Sequence, residues 1–222
     1  MNPATVRPAS LAETFADRRI WMCDLDGTLV DSTPVHEAAF RAAIAELAPG
    51  LLGSFRYGPL AGTTTHETTA RLGVESATAD RLARRKQQIY REYVDAGRVP
   101  LFPGARELLD LLTRRGFVPY MVTSGSRGSV ERVLTASGLD FVDVLTADEL
   151  PASKPDPLVY RYACERWAAD PAEVVVLEDS ANGVAAAVGA GLLTLHVHVD
   201  LAAPGATAVQ DLGRIVSALE RP

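Results

Sequence analysis

Ile20-Trp21-Met22-Cys23-Asp24-Leu25-Asp26-Gly27-Thr28 is the stretch that decides the architecture. Its first half is a continuous apolar run without polar alternation, which is how a central strand covered on both faces reads. Its second half turns at once into two carboxylates and a glycine. Downstream, helical and strand patterns take turns. Ala105, Leu108, Leu109 and Leu112 fall at helical spacing with Gly116 as a stop, and 117–122 reads as a strand with Pro119 its weak point. A helix through Val130, Val133 and Leu134 ends at Gly138, a short strand covers 141–145, and 158–168 is helical. Val174-Val175-Val176-Leu177 is the cleanest strand; a small-residue helix over 181–190, a strand over 192–197 and a helix over 209–219 complete the chain. Strand and helix in alternation predict an α/β fold, a Rossmann-like parallel sheet with helices on both faces.

One stretch breaks the alternation. From about Pro34 to Val99 no strand pattern occurs, and helices are expected over 35–47, near 66–72 and over 79–94, with 53–62 the loosest part. An all-helical block between the first two strands predicts an inserted cap domain at 33–99, with the core formed by 1–32 and 100–222. Pro100-Leu101-Phe102-Pro103-Gly104 marks the return to the core.

The 222 residues are enough for a core of about 150 residues and an insertion of about 70. Apolar residues make up 47 % and charged residues 23 %, an ordinary balance for a water-soluble domain. The net charge of −6 argues against a nucleic-acid partner, which selects for clustered Lys and Arg. The two cysteines, Cys23 and Cys164, have neither zinc spacing nor the density of a disulfide framework. No apolar run approaches the ~20 residues needed to span a bilayer, and residues 1–10 carry no secretory pattern. A cytoplasmic protein with no membrane partner is expected, and nothing requires more than a monomer.

The chemistry-bearing residues sit where strands end. In an open parallel sheet, ligands bind beyond the carboxyl ends of the strands, and Asp24 and Asp26 follow the first strand directly. An Asp-rich loop also satisfies ordinary turn chemistry. Val122-Thr123-Ser124-Gly125 closes the second strand with a hydroxyl and a glycine suited to phosphate oxygens, or to a plain helix N-cap. Lys154 lies in Ser153-Lys154-Pro155, where a lone lysine is commonly solvated. Glu178-Asp179 closes the fourth strand; such a pair fits a hard cation such as Mg²⁺, which takes oxygen ligands, or an acidic helix start.

In this order and at these strand ends, the four elements resemble the motifs of the haloacid dehalogenase superfamily, over residues 20–197, and most closely its β-phosphoglucomutase-like and phosphoglycolate-phosphatase-like branch. The helical insertion is similar to that superfamily's first cap type. The resemblance implies Asp24 as nucleophile and Asp26 as general acid and then base, with its backbone carbonyl on the metal. It implies Ser124 and Gly125 on phosphate, Lys154 balancing nucleophile and phosphate, and Asp179 as Mg²⁺ ligand, with Glu178 a further direct or water-mediated one. His36 falls where relatives carry a histidine that helps close the cap, though it also reads as a helix-surface residue. Lys86 matches a substrate-contacting position of the mutases, within a run (Arg81 to Lys86) that otherwise reads as a solvated basic face. Thr65, in a polar patch of the cap, stands three residues after Gly62, where those mutases have arginine; Thr28 is typical of phosphatases. The expectation is therefore a Mg²⁺-dependent phosphatase for a small phosphorylated metabolite, a sugar phosphate or phosphoglycolate. A phosphosugar mutase is the alternative, and an inactive binding module on the same fold is the second.

Overall fold

The computed structural model describes residues 11–15, 18–60 and 63–220; Gly62 and residues 1–10, on which two of the expectations rest, lie outside them. Six parallel strands form one sheet in the order β3-β2-β1-β4-β5-β6: β1 Ile20–Cys23, β2 Val118–Val122, β3 Asp143–Leu145, β4 Val174–Glu178, β5 Leu193–Val197 and β6 Thr207–Val209. Period-two geometry sorts the strand residues between two apolar layers. Trp21, Cys23, Val175 and Leu177 join one core, and Met22, Val174 and Val176 the other. Both faces are covered, so the strands read as unbroken apolar runs.

The helices are α1 Leu11–Thr14, α2 Thr33–Leu47, α3 Thr65–Ala70, α4 Ser76–Asp95, α5 Ala105–Arg114, α6 Arg127–Ser137, α7 Leu158–Arg166, α8 Ala181–Gly189 and α9 Leu212–Glu220. Between β1 and β2 only helical elements occur among the described residues. There α2 packs against α4, and α4 also rests on α6, the helix that follows β2. Arg132 on α6 reaches Asp95 on α4 at 2.6 Å. No helix of the described residues is long and apolar enough to cross a membrane.

Pro119 keeps its place in β2 because β3 starts pairing only at Tyr120↔Asp143, so its missing N–H faces no ladder partner; its carbonyl still accepts from Val142 N–H at 2.9 Å. The expected strand over 141–145 is accordingly shorter. The end of the chain differs too. Val209, expected to open a helix, closes the edge strand β6 opposite Val197, and the helix begins at Leu212. Three strand residues are too few to leave a period.

The sheet fixes the site. The chain runs outward from β1 through β2 to β3, then returns to the other side of β1 with β4. The order reverses between β1 and β4, and the crevice beyond their carboxyl ends is where the loops diverge. Asp24 N–H donates to Leu177 O at 3.0 Å, which brings the loop after β1 beside Glu178 and Asp179.

Candidate active site

Nine of the ten expected site residues line one cleft between the strand ends and the helices inserted after β1: Asp24, Asp26, His36, Thr65, Lys86, Ser124, Gly125, Lys154 and Asp179. The tenth, Glu178, is fully buried beneath it.

Lys154 is the hub of the floor. Its ammonium lies 2.7 Å from Asp24 Oδ1 and 2.5 Å from Glu178 Oε1, and donates to Val122 O at 3.0 Å. Tyr160 OH donates to the same Glu178 oxygen at 2.6 Å. The peptide bond between Lys154 and Pro155 is cis. Burial would push the Lys154 ammonium's pKa down; Asp24 and Glu178 outweigh it and hold it above the usual lysine range.

Asp24, Glu178 and Asp179 place carboxylate oxygens within 4.8 Å of one another. Two buried carboxylates thus share one ammonium, with the half-buried Asp179 beside them. Burial, with Glu178 and Asp179 added, lifts Asp24 well above the ordinary carboxyl range against the pull of Lys154. Asp179 is pushed up to about 7 by burial and by Glu178. Surplus negative charge on oxygen donors in a dry crevice is the environment that a hard divalent cation neutralises.

The loop that carries these groups is held from behind. Gly27 has φ +85°, and a Cβ there would come within 2.1 Å of Asp179 Oδ2, so only glycine lets the two acidic loops meet. Thr28 Oγ1 donates to Asp179 Oδ1 at 2.9 Å. Two histidines brace the backbone: Ala203 N–H donates to His196 Nδ1, leaving Nε2–H to donate to Asp179 O at 2.8 Å, and His198 Nε2 lies 2.9 Å from Thr28 O.

Asp26 faces the other way, toward the inserted helices. Its Oδ1 accepts from Tyr90 OH at 3.2 Å and lies 3.1 Å from His36 Nε2. His36 stacks on Tyr90, with ring centroids 4.0 Å apart, and its Nδ1 lies 2.8 Å from the ammonium of buried Lys86, which also donates to Thr65 Oγ1 at 3.3 Å. Burial and Lys86 depress the His36 pKa against the pull of Asp26. Lys86 beside Nδ1 makes that nitrogen the acceptor and leaves Nε2–H to donate to Asp26. Burial lowers Lys86 to about 7. For Asp26, burial acts upward but His36 and Lys86 outweigh it, holding the carboxyl well below the usual range.

Ser124 and Gly125 line the same cleft, Gly125 close to the Asp26 carboxylate. Gly125 N–H donates to Thr123 Oγ1 at 3.1 Å. Sequence reasoning missed Tyr90 and Tyr160. Tyr90 stands four residues after Lys86 on α4 and so shares its face, a spacing that could have found it; Tyr160 carries no such signal.

The family model for haloacid dehalogenase-like hydrolases matches residues 21–191. The chain belongs to this family. Among related proteins, the haloacid dehalogenase-like chain is 33 % identical to a phosphoglycolate phosphatase of Cupriavidus necator over 90 % of its own length and 89 % of the relative's. It is 31 % identical to hexitol phosphatase A of Escherichia coli, covering 83 % and 85 %. In fold it is similar to the CbbY protein of Rhodobacter sphaeroides, solved in complex with phosphate, with a TM-score of 0.75 at 24 % identity over 92 % of this chain and all of that one. The haloacid dehalogenase-like chain is a hydrolase.

Proposed function

We propose that the protein is a Mg²⁺-dependent phosphatase that hydrolyses a small phosphorylated metabolite through a phosphoryl group held on Asp24. The observation that carries the reading is the division of labour between the two aspartates. Asp24 is tied to an ammonium and a carboxylate cluster on the floor, and Asp26 to a histidine–lysine chain in the roof. Relatives named as phosphoglycolate and hexitol phosphatases support the same reaction class.

On this reading, Asp24 attacks phosphorus while the ester bond breaks, and Asp26 gives its proton to the departing alkoxide oxygen. Asp26 then takes a proton from the water that attacks the Asp24 phosphate, releasing inorganic phosphate. In the free protein Asp26 is ionised. An arriving phosphoryl dianion raises its proton affinity, and the Lys86–His36 chain supplies the proton: His36 passes its Nε2 proton to Asp26 and takes one from Lys86 at Nδ1. Asp24, Asp179 and the Asp26 carbonyl would hold Mg²⁺, with Glu178 a further direct or water-mediated ligand that also anchors Lys154. The ion would neutralise charge on the phosphoryl oxygens. Residues 33–99 act as a cap that excludes water from the cleft.

Lys86 is the residue that favours a mutase in sequence, yet here it is engaged with His36 and Thr65. Hydrolysis is therefore the stronger reading. The test is phosphate release from p-nitrophenyl phosphate and a panel of metabolites with and without Mg²⁺. Metal-dependent release that falls roughly 10³-fold or more in Asp24→Asn is expected. Conversion of β-glucose 1-phosphate to glucose 6-phosphate with little free phosphate would instead establish the mutase.

A further inference from the structure

The cleft over Asp24 encloses about 70 Å³. At 10–15 Å³ per water-sized site, that is room for about five waters, roughly a phosphoryl group and its ester oxygen. Thr65, Gln87, Ser124 and Ser126 line this cleft and also a second cavity of about 310 Å³, so the two spaces adjoin. The second cavity lies between α3, α4, the start of α6 and the loop after β3, and its far wall carries Arg91 and His66.

Arg91 is unusual among the arginines. Others that are half-buried or in reach of a carboxylate are engaged: Arg85 with Glu46, Arg127 with Glu149, Arg132 with Asp95. Among the described residues, Arg91 alone is half-buried yet makes no hydrogen bond, ion pair or ring contact. Its Nη1 lies against Gly128, 3.2 Å from where a Cβ would stand. Gln87 sits one helical turn earlier on the same face of α4. Asp148 is the single carboxylate lining the cavity, and its Oδ2 already accepts from Arg127 N–H at 2.7 Å.

Resting on the phosphatase reading above, we propose that Arg91 selects substrates that carry a second anionic group, carboxylate or phosphoryl, placed in this cavity while the first phosphoryl lies over Asp24. A partly desolvated guanidinium facing empty polar space gains most from a charged acceptor and little from a hydroxyl.

Two matched pairs test it: phosphoglycerate against glycerol phosphate, and fructose bisphosphate against fructose phosphate. The wild-type protein is expected to favour the doubly anionic member of at least one pair by about tenfold or more in kcat/KM, and the pair that responds identifies the second group. Arg91→Gln should collapse that ratio about tenfold, and Arg91→Lys should restore part of it. Calorimetric binding of the same esters to Asp24→Asn, with and without Arg91→Gln, reads the subsite without turnover. If no ester is hydrolysed, the phosphatase reading fails and the binding ratio alone decides this one. Equal affinity for both members of each pair, or an Arg91→Gln ratio unchanged from wild type, would overturn the proposal.

Discussion

Asp179 owes its position to a residue without a side chain. Gly27 combines a left-handed backbone with a 2.1 Å approach to the Asp179 carboxylate, so alanine there meets both backbone strain and a collision with a charged group. Gly27→Ala should lose about 1–3 kcal/mol in urea denaturation, together with most of its response to Mg²⁺. Wild-type stability and metal response in that variant would remove Gly27 from this role. At this scale the sequence was informative where a residue's chemistry is expensive to place: two acids after a buried strand, or a lysine beside a proline. It was silent where meaning comes from an unrelated part of the chain. Tyr160 matters because it donates to Glu178, and Arg91 because it lacks a partner, and neither condition has a local signature.

Among the elements, α4 links the roof of the cleft to the rest of the molecule. One face carries Leu82, Ile89 and Val94 into the core, and Lys86 on the same buried side is the misfit. Its folded pKa of about 7 lies below the ordinary 10.5, so between those values the unfolded chain binds a proton that the folded one does not. Stability from this group therefore rises with pH across that window, and the penalty of burying the charge is greatest below it. Lys86→Met keeps the volume and removes the charge. Its stability relative to wild type should be higher near pH 6 than near pH 9, by on the order of a few kcal/mol. Parallel pH profiles of the two proteins in urea denaturation would show that Lys86 is not buried as a charge. The strands were legible because both faces of the sheet are apolar, and α4 because its apolar period is long. The three-residue β6 was not, since its pairing with β5 is set by the turn at 203–206 and not by any periodicity of its own.

At the scale of the whole molecule, the cleft lies between the carboxyl ends of the central strands and the helices inserted after β1, and its floor concentrates negative charge. Three carboxylates about one lysine leave the free protein electrostatically incomplete, so a bound divalent cation should add to its stability. Saturating Mg²⁺, at about a hundred times its dissociation constant, is expected to contribute about 2.7 kcal/mol, which is roughly 5–10 °C in Tm for a chain of this size. Scanning calorimetry with and without the ion, on wild type and Asp179→Asn, checks this. The gain should vanish in the variant, and a wild-type Tm indifferent to Mg²⁺ would refute the metal site.

Lys86 and Lys154 are the only two lysines in the chain, against twenty arginines, and both are buried in the cleft. The lysine and arginine side chains on the surface are thus all guanidinium groups, which do not react with ordinary acylating reagents. Every side-chain amine of this protein is a cleft amine. Reagents that elsewhere label exteriors indiscriminately would here report on whether the roof is open, and enzymes that acylate or conjugate exposed lysines would find none on the closed protein.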